Sequence, residues 1–434
     1  MKKANIKEAK ILFIAYYFPP ALSIGVWRNY YLAKECKKFF MKVFVSGQTF
    51  ELPFSEDKTE LEAFDRIQNS VFDYRFLFRN RQKIGFKEGF KKNYISQFFI
   101  KLINSFPFNI IFGEGGLIYL FQSFFHTNKF VKKEGITFIY SSFRPMTDHI
   151  IAYMLKSRNP NVVWTADFRD LPFDPLYKNY FWYWFQKAIM RKIFSKADHI
   201  TTFNNGIGTG LKQYTEQDIL ILENGPFVEL NERITCNQNS VFTIQYTGSL
   251  FLNERDPKPL FEALQELIVG NIMLPQKVKL KYAGKDDNQW RQKLAKFQLS
   301  EISEIQGMVD YKMARLLQTE SHINVILTSS HQEYTGIITG KFFEYISAGR
   351  PIICLVNGKT DRELEQIFDK YHLGIVVYTE EENKEKLKNF LSNLYEEFEK
   401  TGSIKWQINP NVFDDFNWTK TVQKWVKKLA NDKY

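Results

Sequence analysis

The 434 residues carry 44% hydrophobic and 25% charged side chains, proportions of a soluble globular chain with sizeable cores and a length that suits two domains or more. Cys36, Cys236 and Cys354 lie far apart without metal-ligand spacing, which excludes a disulfide framework and a cysteine-based zinc site. The formal charge of +11 is uneven, +12 over residues 1–225 and −1 over 226–434. A basic half suits an anionic membrane or a phosphorylated acceptor. No DNA- or RNA-binding signature accompanies it, so nucleic acid is not an expected partner. Met1-Lys2-Lys3 runs into a charged stretch rather than an apolar core, so no signal peptide is expected and the expected compartment is the cytoplasm.

Ile11–Tyr17 is a continuous apolar run of strand length, which predicts a buried parallel strand. It ends in Phe18-Pro19-Pro20, and Ser23-Ile24-Gly25 leads into a helix from about Val26 to Phe39. Lys42–Ser46 is the second strand. Such a β–loop–α–β opening places its ligand loop at the carboxyl end of the first strand. There Gly25 permits close approach of a ligand to backbone, and Arg28 can meet an anion. A plain βα turn with a surface arginine fits the same residues.

Residues 50–95 are charged and aperiodic and predict no element. Gln97–Phe125 is strongly apolar but broken by Lys101, Pro107 and Gly113-Glu114-Gly115-Gly116, so it lacks the roughly 18 uninterrupted apolar residues of a membrane span. It reads either as helices buried in or beside the first domain or as an aromatic surface resting on lipid. A strand at Ile136–Ser142 and a helix at about Thr147–Ser157 follow. The next strand, Val162–Ala166, delivers Asp167-Phe168-Arg169-Asp170. Two carboxylates around an arginine suit a site where one side chain orients another; an internal ion pair accounts for them equally. Tyr180–Phe185, six consecutive aromatics, open a helix to about Ser195 that carries Lys187, Arg191 and Lys192, with Lys196 next. This pattern suits a membrane surface or a greasy acceptor, and equally a helix buried on several faces.

His199–Phe203 and Asp218–Leu222 are strands, and Gly206–Gly210 between them opens a short helix without the acid of a dinucleotide site. Residues 227–240, polar and aperiodic, read as a linker. Phe242–Leu250 restarts the β/α series, with Gly248 at its end and Arg255 and Lys258 in and after the next loop. Strands at Val278–Ala283, Glu304–Val309, Ile323–Thr328, Pro351–Val356 and Ile375–Tyr378 alternate with helices. Amphipathic helices at Glu382–Lys400 and Trp418–Ala430 end the chain. The fold expected is α/β, with two doubly wound, Rossmann-like parallel-sheet domains facing a cleft. Their expected bounds are 1–226 with the C-terminal helix 413–434, and 241–412.

Thr335–Pro351 organises the second domain: a glycine-containing loop, a short helix from an N-cap at Thr339, and a stop at Gly349 and Pro351. Backbone N–H groups of Gly336, Ile337, Ile338 and Thr339, with the positive helix end, suit an anion. Lys341 adds a charge, and Glu344, one turn on, can accept two hydroxyl hydrogen bonds. A phosphate site beside a diol site is what a nucleotide-sugar needs; an ordinary βαβ unit with solvated Lys and Glu is the plain alternative. Arg255, Lys258 and Lys341 together would stabilise charge on a departing nucleotide. No Asp-x-Asp occurs, so no metal and no cofactor is expected.

In order and spacing these pieces resemble the retaining glycosyltransferases of the GT-B fold called family 4, over nearly the whole chain. The resemblance rests on Tyr17-Phe18-Pro19-Pro20 with Gly25 and Arg28, on Trp164–Asp170, and on Ala197-Asp198. It continues through Asn224-Gly225, Tyr246-Thr247-Gly248 with Arg255, and Gly340-Lys341-Phe342-Phe343-Glu344-Tyr345 to Ala348-Gly349-Arg350-Pro351. It implies that Arg255 and Lys341 hold the donor diphosphate, Glu344 the ribose, Val309 the base, and Gly25 the transferred sugar and phosphates. Asp167, with Arg255, Lys341 and Glu344, would be catalytic, and Arg28, Asp167, Arg169 and Asp170 would face the acceptor. It further implies a last helix crossing back onto the first domain. One departure is plain: the family often has a second glutamate eight positions before the first, and here that position is Gly336, with Glu333 three residues earlier.

The expected activity is transfer of a hexosyl or N-acetylhexosaminyl group, with retention and without a metal. The donor would be a UDP- or GDP-sugar and the acceptor a sugar or lipid-linked glycan, in cell-surface polysaccharide or lipid-linked glycan synthesis. The expected place is the cytoplasm, peripheral on the membrane face. A nucleotide-sugar epimerase or hydrolase of the same fold, and a non-catalytic protein holding membrane or nucleic acid, are the rival readings.

Overall fold

The computed structural model describes residues 6–19, 24–48, 64–69, 94–112, 115–173, 180–226, 240–250, 255–330, 335, 340–378 and 382–431. The chain divides into two compact units, Met1–Asn224 with Asn417–Tyr434, and Gly225–Phe416. Each is built on one parallel sheet.

In the first unit the strands are β1 (Lys10–Ile14), β2 (Lys42–Gln48), β3 (Asp65–Asn69), β4 (Phe138–Phe143), β5 (Val163–Phe168), β6 (His199–Thr202) and β7 (Ile219–Ile221). They lie side by side in the order β3-β2-β1-β4-β5-β6-β7, so the chain reverses direction between β1 and β4. In the second unit β8 (Phe242–Thr247), β9 (Val278–Ala283), β10 (Ser303–Ile305), β11 (Ile323–Ser330), β12 (Ile352–Gly358) and β13 (Gly374–Tyr378) follow the same plan, β10-β9-β8-β11-β12-β13. Both sheets are doubly wound, and in such sheets the crevice for a ligand opens outside the carboxyl ends at the reversal.

The central strands are buried along their whole length because helices cover both faces. All six residues of β4, of β5 and of β8 are buried. In the second unit the alternation of side chains divides β12 between two cores. Ile353 and Leu355 pack with the helices Lys258–Val269 and Glu382–Thr401, while Ile352, Cys354 and Val356 pack with Gly340–Ala348 and Arg362–Tyr371.

Three expectations change in detail. β3 arises from a stretch that predicted no element: its first residues, Asp65, Arg66 and Ile67, include a single apolar side chain, and it is held by pairing with β2 at the sheet edge. β10 stops at Ile305, before a left-handed Gly307 with φ of 69°, so Val309 lies in the loop rather than in the strand. The return to the first unit begins at Asn417, later than expected, because Val412 and Phe416 belong to a second-unit core with Phe342 and Phe343. The glycines of Gly206–Gly210 sit inside the helix Asn205–Leu211, which Asn204 caps by accepting a hydrogen bond from the Ile207 N–H at 2.9 Å. Among the described residues no helix is long and apolar enough to cross a membrane.

The last helix, Trp418–Asn431, packs in the first unit. Trp418 stacks on Tyr31 with centroids 5.5 Å apart, and fully buried Trp425 meets Phe13 and Tyr140 and donates to Thr165 Oγ1 at 3.3 Å. Truncating so large a buried ring costs about 3–5 kcal/mol. Trp425→Ala should therefore lower the denaturant midpoint of the first unit by that equivalent, read by chemical unfolding, and leave the second unit's transition in place.

Candidate functional site

In the second unit the reversal lies between β8 and β11. β8 ends at Thr247, and Gly248 follows with φ of 142°, a left-handed backbone suited to glycine. Lys341, in the first turn of the helix Gly340–Ala348, reaches across to this point. A Cβ on Gly248 would stand 1.5 Å from Lys341 Nζ, so a side chain there would push the lysine tip out of its place. A Cβ on Gly284, just after β9, would stand 2.1 Å from the Gly248 carbonyl oxygen. The two glycines clear the space that the ammonium enters. Lys341 Nζ lies 5.0 Å from the Tyr246 ring centroid, over a face that attracts a cation. Tyr246 in turn stacks with Tyr282 and Trp290, which gives the ammonium a rigid apolar floor.

Burial pushes the Lys341 ammonium down to about 7, and the charge of Arg255 pushes the same way against the pull of Glu344. The Glu344 carboxyl is pushed up by burial, opposed by Gln318, Arg315 and Lys341. Glu344 is aimed by a network that the sequence reading missed. Gln318 Nε2 donates to Glu344 Oε2 at 3.0 Å and lies as close to Thr247 Oγ1. Arg315 Nη1 donates to Gln318 Oε1 at 2.9 Å and to the Glu344 carbonyl oxygen. Arg315 and Gln318 are buried and lie one turn apart on the helix Tyr311–Glu320. The sequence shows only an arginine three positions from a glutamine on one helix face; that both are buried is seen in the structure alone.

Other expected residues fall into place unequally. Gly284 N donates to the Gly307 carbonyl at 2.8 Å, which ties the loop holding half-buried Val309 to the same end of the sheet. Arg255 begins the described segment before the helix Lys258–Val269 and contributes its charge beside Lys341. Lys258 is exposed and pairs with Glu262 one turn on, at 3.3 Å, so its charge is engaged on its own helix. Gly336, Ile337, Ile338, Thr339 and Glu333 lie outside the described residues.

In the first unit the charges turn inward. Arg28, 2% exposed, forms a two-pronged pair with Asp167, Nε to Oδ2 at 2.9 Å and Nη2 to Oδ1 at 2.7 Å. Its Nη1 donates to the Leu222 carbonyl and to Asn224 Oδ1. Tyr140 and Thr201 donate to the Asp167 oxygens at 2.9 and 2.7 Å. Where the expectation was a pair that meets an acceptor, the polar atoms of Arg28 and Asp167 are engaged within the unit and shielded, and they hold β5, β6 and the first helix together. Arg28, not Arg169, is the partner of Asp167, and it holds the carboxyl below its ordinary range against the opposing effect of burial. Arg169 donates to the carbonyls of Phe143 and Arg144 and braces the loop after β4, while Asp170 pairs with Arg144 at 3.6 Å. Gly25 lies in the first turn of the helix Ile24–Cys36. Fully buried Asp148 accepts from Tyr16 N and from the Tyr119 hydroxyl, both at 2.8 Å, and thereby pins the carboxyl end of β1. Among the described residues no group of three or more His, Cys, Asp or Glu could hold a metal ion.

Removing one partner of a buried pair leaves an uncompensated charge and costs about 3–5 kcal/mol. Asp167→Ala should lose that much stability in urea unfolding, whereas Asp170→Ala, at a half-exposed pair, should lose less than about 1 kcal/mol. Equal losses would overturn the contrast drawn between the two carboxylates.

No protein-family model and no curated protein matches the chain. Solved structures do match it over nearly its whole length. A sucrose-phosphate synthase from Thermosynechococcus elongatus is 11% identical, with a TM-score of 0.56, over 97% of this chain and 98% of its own. The lipopolysaccharide outer core galactosyltransferase WaaB in its apo form is 12% identical, with a TM-score of 0.55, over 96% and 98%. The E. coli trehalose-6-phosphate protein bound with UDP-2-fluoro glucose is 10% identical, with a TM-score of 0.56, over 98% and 100%. The chain has the fold these proteins share, the two-domain α/β GT-B fold.

Proposed function

We propose that the chain is a glycosyltransferase that moves a sugar from a nucleotide-sugar to an acceptor. The observation that carries the proposal is half-buried Lys341, whose ammonium enters the space cleared by Gly248 and Gly284, one helical turn from a carboxylate aimed by Gln318. Its fold is that of a protein bound with UDP-2-fluoro glucose. A lysine held at the edge of losing its proton is poorly satisfied by its own protein, and a diphosphate is the partner that restores it. Lys341 and Arg255 neutralise the charge that grows on the departing diphosphate, the largest single contribution in this class of reaction. Glu344 accepts the ribose hydroxyls, and the Gly307–Val309 loop lies against the base. Backbone N–H groups of residues 336–339 are proposed for the phosphates and the sugar, with no acid at Gly336 to fix which sugar is chosen.

The reaction proposed is retaining and metal-independent, on a hexosyl or N-acetylhexosaminyl group from a UDP- or GDP-sugar. The acceptor hydroxyl attacks the anomeric carbon from the face the diphosphate leaves. The bond from that carbon to the phosphate oxygen breaks as the new glycosidic bond forms, and a phosphate oxygen takes the acceptor's proton. Arg28 and Asp167 act as positioning residues, and Arg169 with Asp170 shapes the loop after β4 on the acceptor side. The acceptor proposed is a lipid-linked or surface glycan, from the basic and aromatic character of the first 225 residues.

Lys341→Met and Glu344→Gln should each lower turnover by about a hundredfold or more, with the fold intact by circular dichroism. Turnover in either variant equal to that of the parent would sink the assignment. Product analysis in the absence of acceptor separates transfer from hydrolysis and epimerisation, since either of these yields free sugar or an epimer.

The pH dependence has a definite sign. In the free protein Lys341 is protonated below about 7 and neutral above it, while the bound diphosphate requires the ammonium. Affinity for a nucleotide-sugar, whose own charge does not change in this range, should be flat below pH 7. Above it, affinity should fall by about tenfold per pH unit, with uptake of about one proton per ligand. Calorimetry at pH 8.5 in buffers of different ionisation enthalpy reads that proton. Lys341→Arg, which stays charged, should bind without it. No uptake in the parent protein would contradict the role given to Lys341.

A further inference from the structure

We infer that the first unit carries a docking surface for an anionic lipid bilayer, formed by the helix Tyr94–Asn104, the residues after it, and the segment Tyr180–Phe194. Phe98 and Phe99 are about half exposed, Trp182 is 50% exposed and Trp184 is 73% exposed. These rings belong to two runs of packed aromatics, Phe99–Phe98–Phe181–Trp182 and Trp184–Phe185–Phe106. Phe98 packs on Phe181 at 5.2 Å, Phe181 on Trp182 at 5.6 Å, and Phe106 on Phe185 at 6.2 Å.

The exposure is built rather than incidental. Beneath the rings, Gln186, 1% exposed, accepts from Phe106 N at 3.0 Å, and buried Ser105 Oγ accepts from Phe181 N at 2.6 Å. This buried polar clamp joins the two segments and fixes the aromatic side chains outward. Trp182 also holds a left-handed backbone with φ of 52°, an outlier for a bulky residue. Strain of that kind persists where surrounding structure demands it, and it clusters at functional positions.

Charge identifies the partner. No acidic residue occurs in residues 94–112 or 180–197, which hold Lys101, Lys187, Arg191, Lys192 and Lys196. On the helix Tyr183–Phe194, Trp184, Lys187 and Arg191 follow one another at helical spacing, so aromatic contact gives way to positive charge along one face. The helix Gly116–Glu134 repeats the order: exposed Ile118, Phe121 and Phe125 continue as exposed Lys129 and Lys132. Protein interfaces are depleted of lysine, whereas a surface that inserts aromatic rings and presents ammonium groups around them matches acyl chains below anionic headgroups. No described helix is long and apolar enough to span, so the contact is one that lies on the bilayer. The inference stands apart from the donor-site reading, which rests on the second unit.

The test is flotation of the full chain with vesicles of phosphatidylcholine alone and with about one third phosphatidylglycerol, where each basic side chain near the surface adds about 1 kcal/mol, or about fivefold. Binding to the anionic vesicles should exceed binding to the neutral ones by about tenfold or more. Phe98→Ser with Trp184→Ser should abolish it, and Lys187→Gln with Arg191→Gln and Lys192→Gln should remove the preference for anionic lipid. These side chains are exposed or half-exposed, so the charge variant keeps the test valid should the aromatic one fold poorly. Equal binding to both vesicle types, or binding that neither variant changes, overturns the inference. So does concentration-dependent self-association, read by sedimentation, that Trp184→Ser abolishes in a chain that ignores vesicles; the surface would then serve a second copy. Nucleotide-sugar affinity measured on the same samples reports on the second unit alone, so the two readings fail separately.

Discussion

The clearance at the carboxyl ends of β8 and β9 is the constraint on which the second unit's chemistry depends. An ammonium belongs in water, and removing it costs several kcal/mol unless something compensates. Here Gly248 and Gly284 make room for Lys341 Nζ over the Tyr246 face, and among the described residues a ring and a one-turn carboxylate stand against it. Any side chain at Gly248 would expel Lys341, and any at Gly284 would collide with the Gly248 carbonyl. Local geometry thus decides the charge state, and the charge state decides what can bind.

The two units handle buried charge in opposite ways. Arg28 and Asp167 lie deeper than Lys341 and Glu344, yet each of their polar atoms has a partner, and Arg28 holds the Asp167 carboxyl ionised. Such a pair orders structure, tying β5 and β6 to the first helix. In the second unit burial pushes the lysine down and the glutamate up, so it works against the charged form of each. Burial that outweighs the compensating contacts marks a place where a ligand completes the electrostatics. Both pairs sit at strand ends of similar sheets, and burial outweighs the compensating contacts in the second.

Much of this was legible in the sequence, for identifiable reasons. Strands buried on both faces, such as β12 over Ile352–Val356, declare themselves as apolar runs, and the amphipathic spacing of Leu387, Leu391, Leu394 and Phe398 predicts the buried face of its helix. β3 escaped because an edge strand needs little apolar character. Lys341 and Glu344 were visible because glycine, cap and stop signals surround them. Arg315 and Gln318 were not, because their role comes from contacts with Glu344 and Thr247, distant in sequence. The same limit misled the reading of Asp167: the adjacent arginine in sequence was the natural partner, while the actual one comes from 139 positions away.

The aromatic surface of the first unit poses the converse problem, one of energy given up. Burying a large apolar side chain stabilises a fold by roughly 1.5–3 kcal/mol, and this fold leaves Phe98, Phe99 and Trp184 in water while covering Phe13, Phe124 and Phe168 completely. Poor packing does not account for it, since the clamp at Ser105 and Gln186 lies directly below and is well ordered by its hydrogen bonds. A chain that invests a buried amide and a left-handed tryptophan in keeping rings outward recovers that energy only on contact with another apolar phase. The basic residues that continue each exposed face restrict that phase to one with negative charge at its border. The uneven charge of the sequence and the uneven exposure of its aromatics are then two aspects of one surface.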